Sequence, residues 1–254
     1  MDTMLVNLNE EINRRGTGSV KYRAIKRDGE YMMVDLANPD LGKDRVLQMW
    51  VADMDFRCCS SITEALKARI DHGIFGYTSP EDSYYDAVIS WAGSRYGWEI
   101  EREWISTSPG VVPALYMLVP ELTEPDEKVL IQRPVYFPFT SSIENSGREV
   151  VSNSLIYNRE TNRYEIDFDD LAEKAADPKV TLAILCSPHN PVGRVWTRSE
   201  LSRMADIFLA NGVKIISDEI HCDLIFDEHT FVPMASISEE VADQTITCMA
   251  PSKT

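Results

Sequence analysis

The segment VTLAILCS, residues 180–187, decides the fold. It is short, rich in β-branched and aliphatic residues, and apolar at successive positions, which is typical of a strand buried on both faces. Comparable runs are WISTS (104–108), KVLIQ (128–132), VKIIS (213–217) and TITCM (245–249). Segments with helical apolar spacing alternate with them, most clearly at Leu201, Met204, Ala205, Phe208 and Leu209. The alternation predicts an α/β fold with a mostly parallel sheet flanked by helices.

Two earlier segments also have the apolar spacing of amphipathic helices. One follows Ser60 and Ser61, which we interpret as capping residues, and its apolar positions are Ile62, Leu66 and Ile70. The other follows SPED, with Tyr84, Val88 and Trp91. Residues 1–45 are more polar and irregular, so we interpret them as an N-terminal arm or part of a small domain, and residues 46–254 as a large domain.

Composition limits the possible partners and compartments. The 254 residues carry a net charge of −16, which argues against nucleic acid or an anionic membrane as the main partner. The N-terminus is acidic rather than basic, and no apolar run approaches the roughly 20 residues of a membrane helix. The five cysteines form no C-x-x-C pair, which favours reduced thiols, mostly in the core. We therefore expect a cytoplasmic protein without a membrane span.

Polar residues follow three of the predicted strands. Asn190 lies in SPHNPVG, Asp218 in SDEIH, and Lys253 comes shortly after TITCM. In open α/β sheets, ligands bind beyond the carboxyl ends of the strands. We therefore expect the side chains of Asn190, Asp218 and Lys253 to converge on one pocket.

The segment SDEIH allows other interpretations. It resembles a helicase D-E-x-H box, but the phosphate loop that such a box requires is absent. His221, Cys222 and Asp223, with Cys186 or His189, match no structural zinc spacing, so we expect no metal. A purely structural role also remains open, in which Asp218 caps a helix and His221 is a half-buried ring.

The order of the whole set favours a pyridoxal 5′-phosphate (PLP) site. Such a site needs a lysine amine, an acid for the pyridine nitrogen, a donor for the ring hydroxyl, an aromatic face and a phosphate cradle. The chain offers Lys253, Asp218, Asn190 and Tyr136 for the first four groups. The helix start after PG, with Pro113 in its first turn, offers backbone N–H groups for the phosphate.

Strings along most of the chain support this hypothesis. They are MWVADMDF (49–56), FGYTSP (75–80), SPGVVPAL (108–115), RPVYFPF (133–139), SPHNPVGRVW (187–196), SDEIHCDLIF (217–226) and APSKT (250–254). In series they resemble the fold-type I PLP-dependent enzymes of the class I/II aminotransferase superfamily. WVADMDF and DEIHCDL are more narrowly similar to the MalY/PatB-type carbon–sulfur lyases, which are cystathionine β-lyase-like.

The resemblance implies roles for individual residues. Lys253 resembles the lysine that binds PLP covalently, and Asp218 the partner of the pyridinium. Asn190 and His221 resemble residues that approach the ring hydroxyl. Many relatives have a tyrosine at the position of His221, directed at the same oxygen. Tyr136 resembles the aromatic residue that stacks on the ring.

The phosphate shell is also implied by the resemblance. Its members in this chain are Gly110, Val111, Val112, Ser252 and Tyr77. Tyr77 resembles a residue that reaches the phosphate of the neighbouring subunit, which implies a homodimer. Ala250 stands where many aminotransferases have a phosphate-binding serine, so Ser252 or later residues would have to replace it.

The resemblance also suggests an activity. Relatives continue past the lysine into a small domain with an arginine that binds the substrate carboxylate. We therefore expect this to be a truncated sequence from a partial gene, poorly soluble and almost inactive when isolated. The implied reaction is β-elimination from cystathionine or a cysteine S-conjugate, giving a thiol, pyruvate and ammonia. Aminotransfer, or a regulatory role with PLP bound but no catalysis, remains open.

Overall fold

The computed structural model describes residues 7–14, 16–22, 24–27, 30–33, 50–226 and 228–253. Two compact units are present: one runs up to Ser79 and includes Lys253, and the other runs from Pro80 to Ser252. The predicted domain boundary at residues 45 and 46 lies outside the described residues and stays a prediction. Within the described ranges, no helix is both long enough and apolar enough to cross a membrane.

The first unit contains a hairpin, a helix and an ion-pair network. Strands β1 (Ala24–Arg27) and β2 (Glu30–Met33) pair antiparallel, and helix α1 spans Ser60–His72. The carboxylate of Asp55 binds Lys21 at 2.7 Å and Arg14 at 2.8 Å. Arg14 also pairs with Asp53. The acidic residues of WVADMDF therefore join the segment before α1 to Arg14 and Lys21.

The second unit alternates helices with strands. Its helices are α2 (Asp82–Tyr96), α3 (Val111–Leu122), α4 (Phe137–Asn145), α5 (Phe168–Ala175), α6 (Arg198–Ala210) and α7 (Glu239–Asp243). Its strands are β3 (Lys128–Arg133), β4 (Glu149–Ser154), β5 (Ile156–Asn158), β6 (Arg163–Glu165), β7 (Val180–Cys186), β8 (Lys214–Asp218) and β9 (Thr245–Cys248). Short 3-10 helices include Arg102–Trp104, Met234–Ser236 and Pro251–Lys253.

Five strands form a parallel sheet in the order β4-β3-β7-β8-β9. The predicted strands at 128–132, 180–187, 213–217 and 245–249 are all present, so the predicted fold class is confirmed. β4 was not predicted, nor was the separate antiparallel pair β5 and β6.

The predicted strand at 104–108 is wrong. Trp104 ends a 3-10 helix, and residues 105–108 pair with no strand in the described part of the chain. The run has only two apolar residues, Trp104 is 61% exposed, and only Ile105 is partly buried. A β-prone sequence does not form a strand without a neighbour to satisfy its backbone hydrogen bonds.

The sheet is covered on both faces, which explains the continuous apolar runs. In β3, Leu130 packs into the cluster with α5 and α6, whereas Val129 and Ile131 pack against α3 and α4. β7 alternates in the same way, with Leu185 on the first side and Ile184 on the second. Because neighbouring strand residues point to opposite faces, each strand must be apolar at successive positions.

The three predicted helical segments are confirmed as α1, α2 and α6. The proposed caps of α1 need a correction: Cys59 is the N-cap residue, and Ser60 and Ser61 belong to the helix itself. In α6 the apolar positions that predicted the helix are also its buried ones: Leu201, Met204, Ala205 and Phe208. All five cysteines are free, and Cys186, Cys222 and Cys248 are buried, as predicted for reduced core residues.

Candidate functional site

Asp218 is the last residue of β8 and lies between two thiols. In the parallel register, Cys186 at the end of β7 pairs with Asp218, and Asp218 pairs with Cys248 at the end of β9. Aligned residues of parallel strands point to the same face, so one carboxylate and two thiols form a row at the carboxyl edge of the sheet. Asp218 is only 4% exposed.

The charge of Asp218 acts on three neighbouring groups. Burial, and then the charge of Asp218, raise the pKa of Tyr136, of Cys186 and of Cys248, the last to about 12. Both thiols therefore stay protonated and unreactive near neutral pH. Asp218 Oδ1 also accepts the N–H of Ile220 at 3.2 Å. The segment that follows is a turn, so Asp218 bonds the backbone of a turn and does not cap a helix, which corrects the structural role considered from the sequence.

The loop with Asn190 is joined to the loop with Tyr136. The backbone N–H of Tyr136 donates to the Asn190 carbonyl at 3.0 Å. The N–H of Asn190 donates to Cys186 Sγ at 3.3 Å. These bonds bring Asn190 and Tyr136 to the edge of the sheet that carries Asp218.

His189 joins the same two loops from inside the protein. Its Nε2 lies 2.9 Å from the Pro134 carbonyl, and its ring packs edge-on against Trp196. Trp196 in turn donates from Nε1 to the Cys186 carbonyl at 3.0 Å. Burial lowers the pKa of His189 to about 4, so the ring is neutral near pH 7. The sequence suggested His189 only as a metal ligand and did not predict this role. Its position between Pro188 and Pro191 was the one feature that could have indicated a structural role in the loop.

Gly110 begins the helix that points at this edge. It is the N-cap residue of α3, with φ of 157°, a conformation that L side chains rarely adopt. The N–H groups of the first helical turn have no partner within a helix, and because Pro113 has no N–H, Val111 and Val112 carry those of this turn. Val111 packs into the same apolar cluster as Tyr136, Cys186 and Cys248, so the first turn of α3 and the thiols that flank Asp218 border one cluster, and the start of a helix attracts anions.

The turn after β8 is fixed by helix α2. Asp223 Oδ1 accepts from Trp91 Nε1 at 3.1 Å and from the Tyr96 hydroxyl. The same hydroxyl contacts Cys222 Sγ at 3.2 Å. His221, half-buried, belongs to this turn, and its carbonyl accepts the N–H of Leu224 at 3.0 Å.

The remaining predicted site residues have different surroundings. Ser252 is exposed in the 3-10 helix Pro251–Lys253, and Lys253 is half-buried and belongs to the first unit. Tyr77 lies in the exposed segment after α1, also in the first unit. The structure thus brings together Asn190, Tyr136, Asp218 and the start of α3. The approach of Lys253 and Tyr77 to these residues stays a prediction.

The grouped residues fit a ligand with an anionic end and a protonated aromatic ring. Free helix N–H groups suit a phosphate, the half-buried Tyr136 suits a ring face, and a buried carboxylate suits a protonated ring nitrogen. Asp218 is aligned between Cys186 and Cys248, whose thiols burial keeps neutral.

Comparison with known proteins agrees with this chemistry. The chain is 47% identical to cystathionine beta-lyase PatB of Bacillus subtilis (strain 168), over 98% of this chain and 61% of PatB. It is 33% identical to protein MalY of Escherichia coli (strain K12), over 78% of this chain and 50% of MalY. The chain thus spans about three fifths, or less, of the length of these relatives.

A solved structure supports the fold and the resemblance. The crystal structure of a PLP-bound putative aminotransferase from Clostridium difficile 630 superposes with a TM-score of 0.86 at 42% identity, over 98% of this chain and 61% of that chain. The predicted similarity to MalY/PatB-type proteins and to the fold of PLP-dependent enzymes is confirmed. Residues 45–254 match the family directly, and the chain belongs to the aminotransferase class I and II family.

Proposed function

We propose that the chain binds PLP at the carboxyl edge of its sheet and belongs to a carbon–sulfur β-lyase. The enzyme cleaves cystathionine or cysteine S-conjugates to a thiol, pyruvate and ammonia. The observation that carries the proposal is the buried carboxylate of Asp218, aligned between two thiols and acting electrostatically on Tyr136. The name of PatB, cystathionine beta-lyase, supports the choice of reaction.

Each grouped residue has a place in holding PLP. The N–H groups after Gly110, at Val111 and Val112, bind the phosphate, with Ser252 as a further donor. Tyr136 stacks on the ring, and Asn190 and His221 hydrogen-bond its hydroxyl. Asp218 pairs with the ring nitrogen. Lys253 binds the cofactor covalently, and Tyr77 completes the phosphate shell of a partner subunit.

The residues of the chain then have distinct chemical tasks. PLP, when bound, supplies an aldehyde carbon for the substrate amine and an electron-withdrawing ring. Asp218 keeps a proton on the ring nitrogen, because a buried carboxylate strongly favours a positive charge beside it. Lys253 would hold PLP covalently through its amine, and the same amine, when free, would be the base that accepts the proton from the substrate α-carbon. The neutral thiols Cys186 and Cys248 add no competing charge.

Aminotransfer is the second candidate function. The name of the Clostridium difficile structure, a putative aminotransferase, favours it. The same Asp218 and Lys253 would serve both reactions, because both begin with removal of the α-carbon proton. The two differ in whether a thiol leaves the β-carbon, so product analysis separates them.

Assembly and location are part of the proposal. We infer a cytoplasmic homodimer, in which residues 46–254 are the large PLP-binding domain and residues 1–45 an arm or part of a small domain. The exposed apolar side chains of α1 and the fully exposed Tyr77 support a subunit interface on the first unit. Light scattering over a range of protein concentrations tests the dimer.

Replacement of Asp218 tests the cofactor site. The purified protein is incubated with PLP, and PLP affinity and pyruvate release from cystathionine are measured for wild type, Asp218→Asn and the exposed control Asp206→Asn. We expect Asp218→Asn to weaken PLP binding by about 100-fold, since a charge partner is lost from a buried site. Asp206→Asn should match wild type.

Three further results define the outcome. Lys253→Ala should abolish covalent attachment of PLP, detected by mass after borohydride reduction. Formation of a new amino acid from an added 2-oxo acid, without pyruvate release, would favour aminotransfer. Equal PLP binding by Asp218→Asn and Asp206→Asn would contradict the proposed site.

A further inference from the structure

Glu219, the residue after Asp218, is a carboxyl group without access to solvent. Its exposed fraction is 0%. Oε1 accepts two hydrogen bonds, from Ser217 Oγ at 2.8 Å and from the Met234 N–H at 2.8 Å. Oε2 is buried without a hydrogen-bond partner. Among the described residues, no lysine, arginine or histidine contributes to its electrostatic surroundings.

Glu219 connects four segments at the carboxyl edge of the sheet. Its backbone N–H donates to the Cys248 carbonyl of β9 at 2.9 Å, and its carbonyl accepts the N–H of Cys222 at 3.0 Å. Its side chain binds Met234, in the 3-10 helix Met234–Ser236, back to the end of β8. Because Asp218 is the preceding residue, these bonds fix the backbone from which its carboxylate projects.

Two buried carboxyls in succession cannot both be charged at low cost. A buried carboxylate without a cation loses several kcal/mol of solvation, on the order given for single buried ions, and a like charge beside it adds to the cost. Burial, and also the charge of Asp218, raise the pKa of Glu219 to about 8. The other titratable groups acting here are Cys222 and Cys248, and Met234–Ser236 contributes none.

We propose that Glu219 is a positioning residue which, as a neutral carboxyl, fixes Asp218 at the end of β8 without adding a second negative charge beside it. The proposal rests on the proposed role of Asp218 in holding PLP. A neutral amide of the same shape retains the acceptor for Ser217 and Met234, and its NH2 takes the place of Oε2, where the neutral carboxyl also carries its proton without a partner. Glutamine is therefore the matched uncharged replacement for Glu219. Alanine leaves the Met234 N–H buried without a partner, which costs about 1–3 kcal/mol for a group of this kind.

The experiment compares wild type, Glu219→Gln, Glu219→Ala and the exposed control Glu173→Gln. Amide hydrogen exchange is measured without PLP at Ser187 and Ile220, whose N–H groups donate to Asp218. PLP affinity is measured in parallel. We expect Glu219→Gln and Glu173→Gln to remain within about threefold of wild type in both, and Glu219→Ala to exchange faster and bind PLP at least about tenfold more weakly.

Unfolding as a function of pH tests the neutral form. The pKa of Glu219 is raised from 4.5 to about 8, so its contribution to stability is present below 4.5 and is lost as pH rises to about 8. Wild type should therefore lose stability relative to Glu219→Gln across this window, without PLP. Glu173→Gln should follow wild type.

Several results would overturn the proposal. Glu219→Gln exchanging as fast as Glu219→Ala would show that the carboxyl itself is needed. A constant stability difference between wild type and Glu219→Gln across the pH window would show that Glu219 is charged. If no variant binds PLP, the proposed function fails, whereas hydrogen exchange and unfolding still decide the role of Glu219.

Discussion

Helices α1 and α6 have the same length, and both have apolar residues at helical spacing, but their burial differs. Each has 13 residues, with large apolar side chains three or four positions apart. In α6, Leu201 is 0% exposed and packs with Met204 and Phe208 against the sheet. In α1, Leu66 is 58% exposed, and the helix has no buried residue.

The difference shows what amphipathic spacing can and cannot predict. Spacing predicts a helix with one apolar face, because the period of 3.6 residues gathers those side chains along one side. It does not identify the surface that covers the face. The sheet beneath α6 supplies that surface within the unit. We propose that a partner subunit supplies it for α1.

The largest expected effect comes from truncating the apolar face of each helix. Leu201→Ala should lower the free energy of unfolding by about 2–5 kcal/mol, because it removes a fully buried side chain and leaves a cavity. Leu66→Ala should change it by less than about 0.5 kcal/mol at low protein concentration, because most of the side chain already contacts water. Urea denaturation followed by circular dichroism measures both.

Protein concentration sharpens this test. If a second copy covers α1, the cost of Leu66→Ala should increase with concentration, because association stabilises only the folded state. The cost of Leu201→Ala should not depend on concentration. A cost for Leu66→Ala equal to that of Leu201→Ala at every concentration would show that α1 is covered within its own chain.

The sequence predicted correctly those structural features that depend on residues close to one another along the chain. Strands β3, β7, β8 and β9 were predicted because burial on both faces leaves a continuous apolar run. Asp218 and Asn190 were predicted to lie at one edge because each comes at the end of an apolar run, and parallel strands end at one edge. Tyr136 was proposed as the aromatic face of the site and from the family resemblance. The sequence could not show that β4 is a strand, because Asn153 is polar but buried. Its amide is satisfied by the Asp167 carbonyl and by Asp170, at 2.9 and 2.7 Å.

The missed residues of the candidate site share a physical reason. His189 and Glu219 are polar and buried, and each has a hydrogen-bond partner that is distant in sequence. Pro134 lies 55 residues from His189, and Met234 lies 15 residues from Glu219. Most buried polar groups need such hydrogen-bond partners. The spacing of apolar residues along the sequence does not show which distant residue supplies them. The strand predicted at 104–108 is wrong for a different reason. Its residues favour a strand, but no neighbouring strand in the described part of the chain pairs with them.

A smaller effect should come from the N-terminus of α6. Thr197 and Glu200 form a capping box, in which the Thr197 hydroxyl accepts the Glu200 N–H at 3.2 Å and Glu200 accepts the Thr197 N–H at 2.8 Å. Thr197→Ala removes one of these bonds and should cost about 0.5–2 kcal/mol. Thr230→Ala, at an exposed position outside any helix, is the control and should cost almost nothing. Equal values for the two variants would show that the capping box does not stabilise α6.

The smallest effect should come from the N-terminus of α1, where the corresponding cap is weak. Cys59 is the N-cap residue and makes no side-chain capping bond, although its thiol lies 3.1 Å from Ser61 Oγ. A hydroxyl is a better acceptor than a thiol for the free N–H groups of the first turn. Cys59→Ser should therefore raise the free energy of unfolding by a few tenths to about 1 kcal/mol.

The neighbouring cysteine provides the control for this change. Cys58→Ser alters an exposed thiol just before the cap, so it should leave stability unchanged. Urea denaturation in reducing buffer gives both values. A gain from Cys59→Ser alone would show that α1 lacks a capping bond as well as a covering surface, so that two separate deficits distinguish it from α6. No gain would mean that the thiol already caps the helix, and burial would then be the main difference between the two helices.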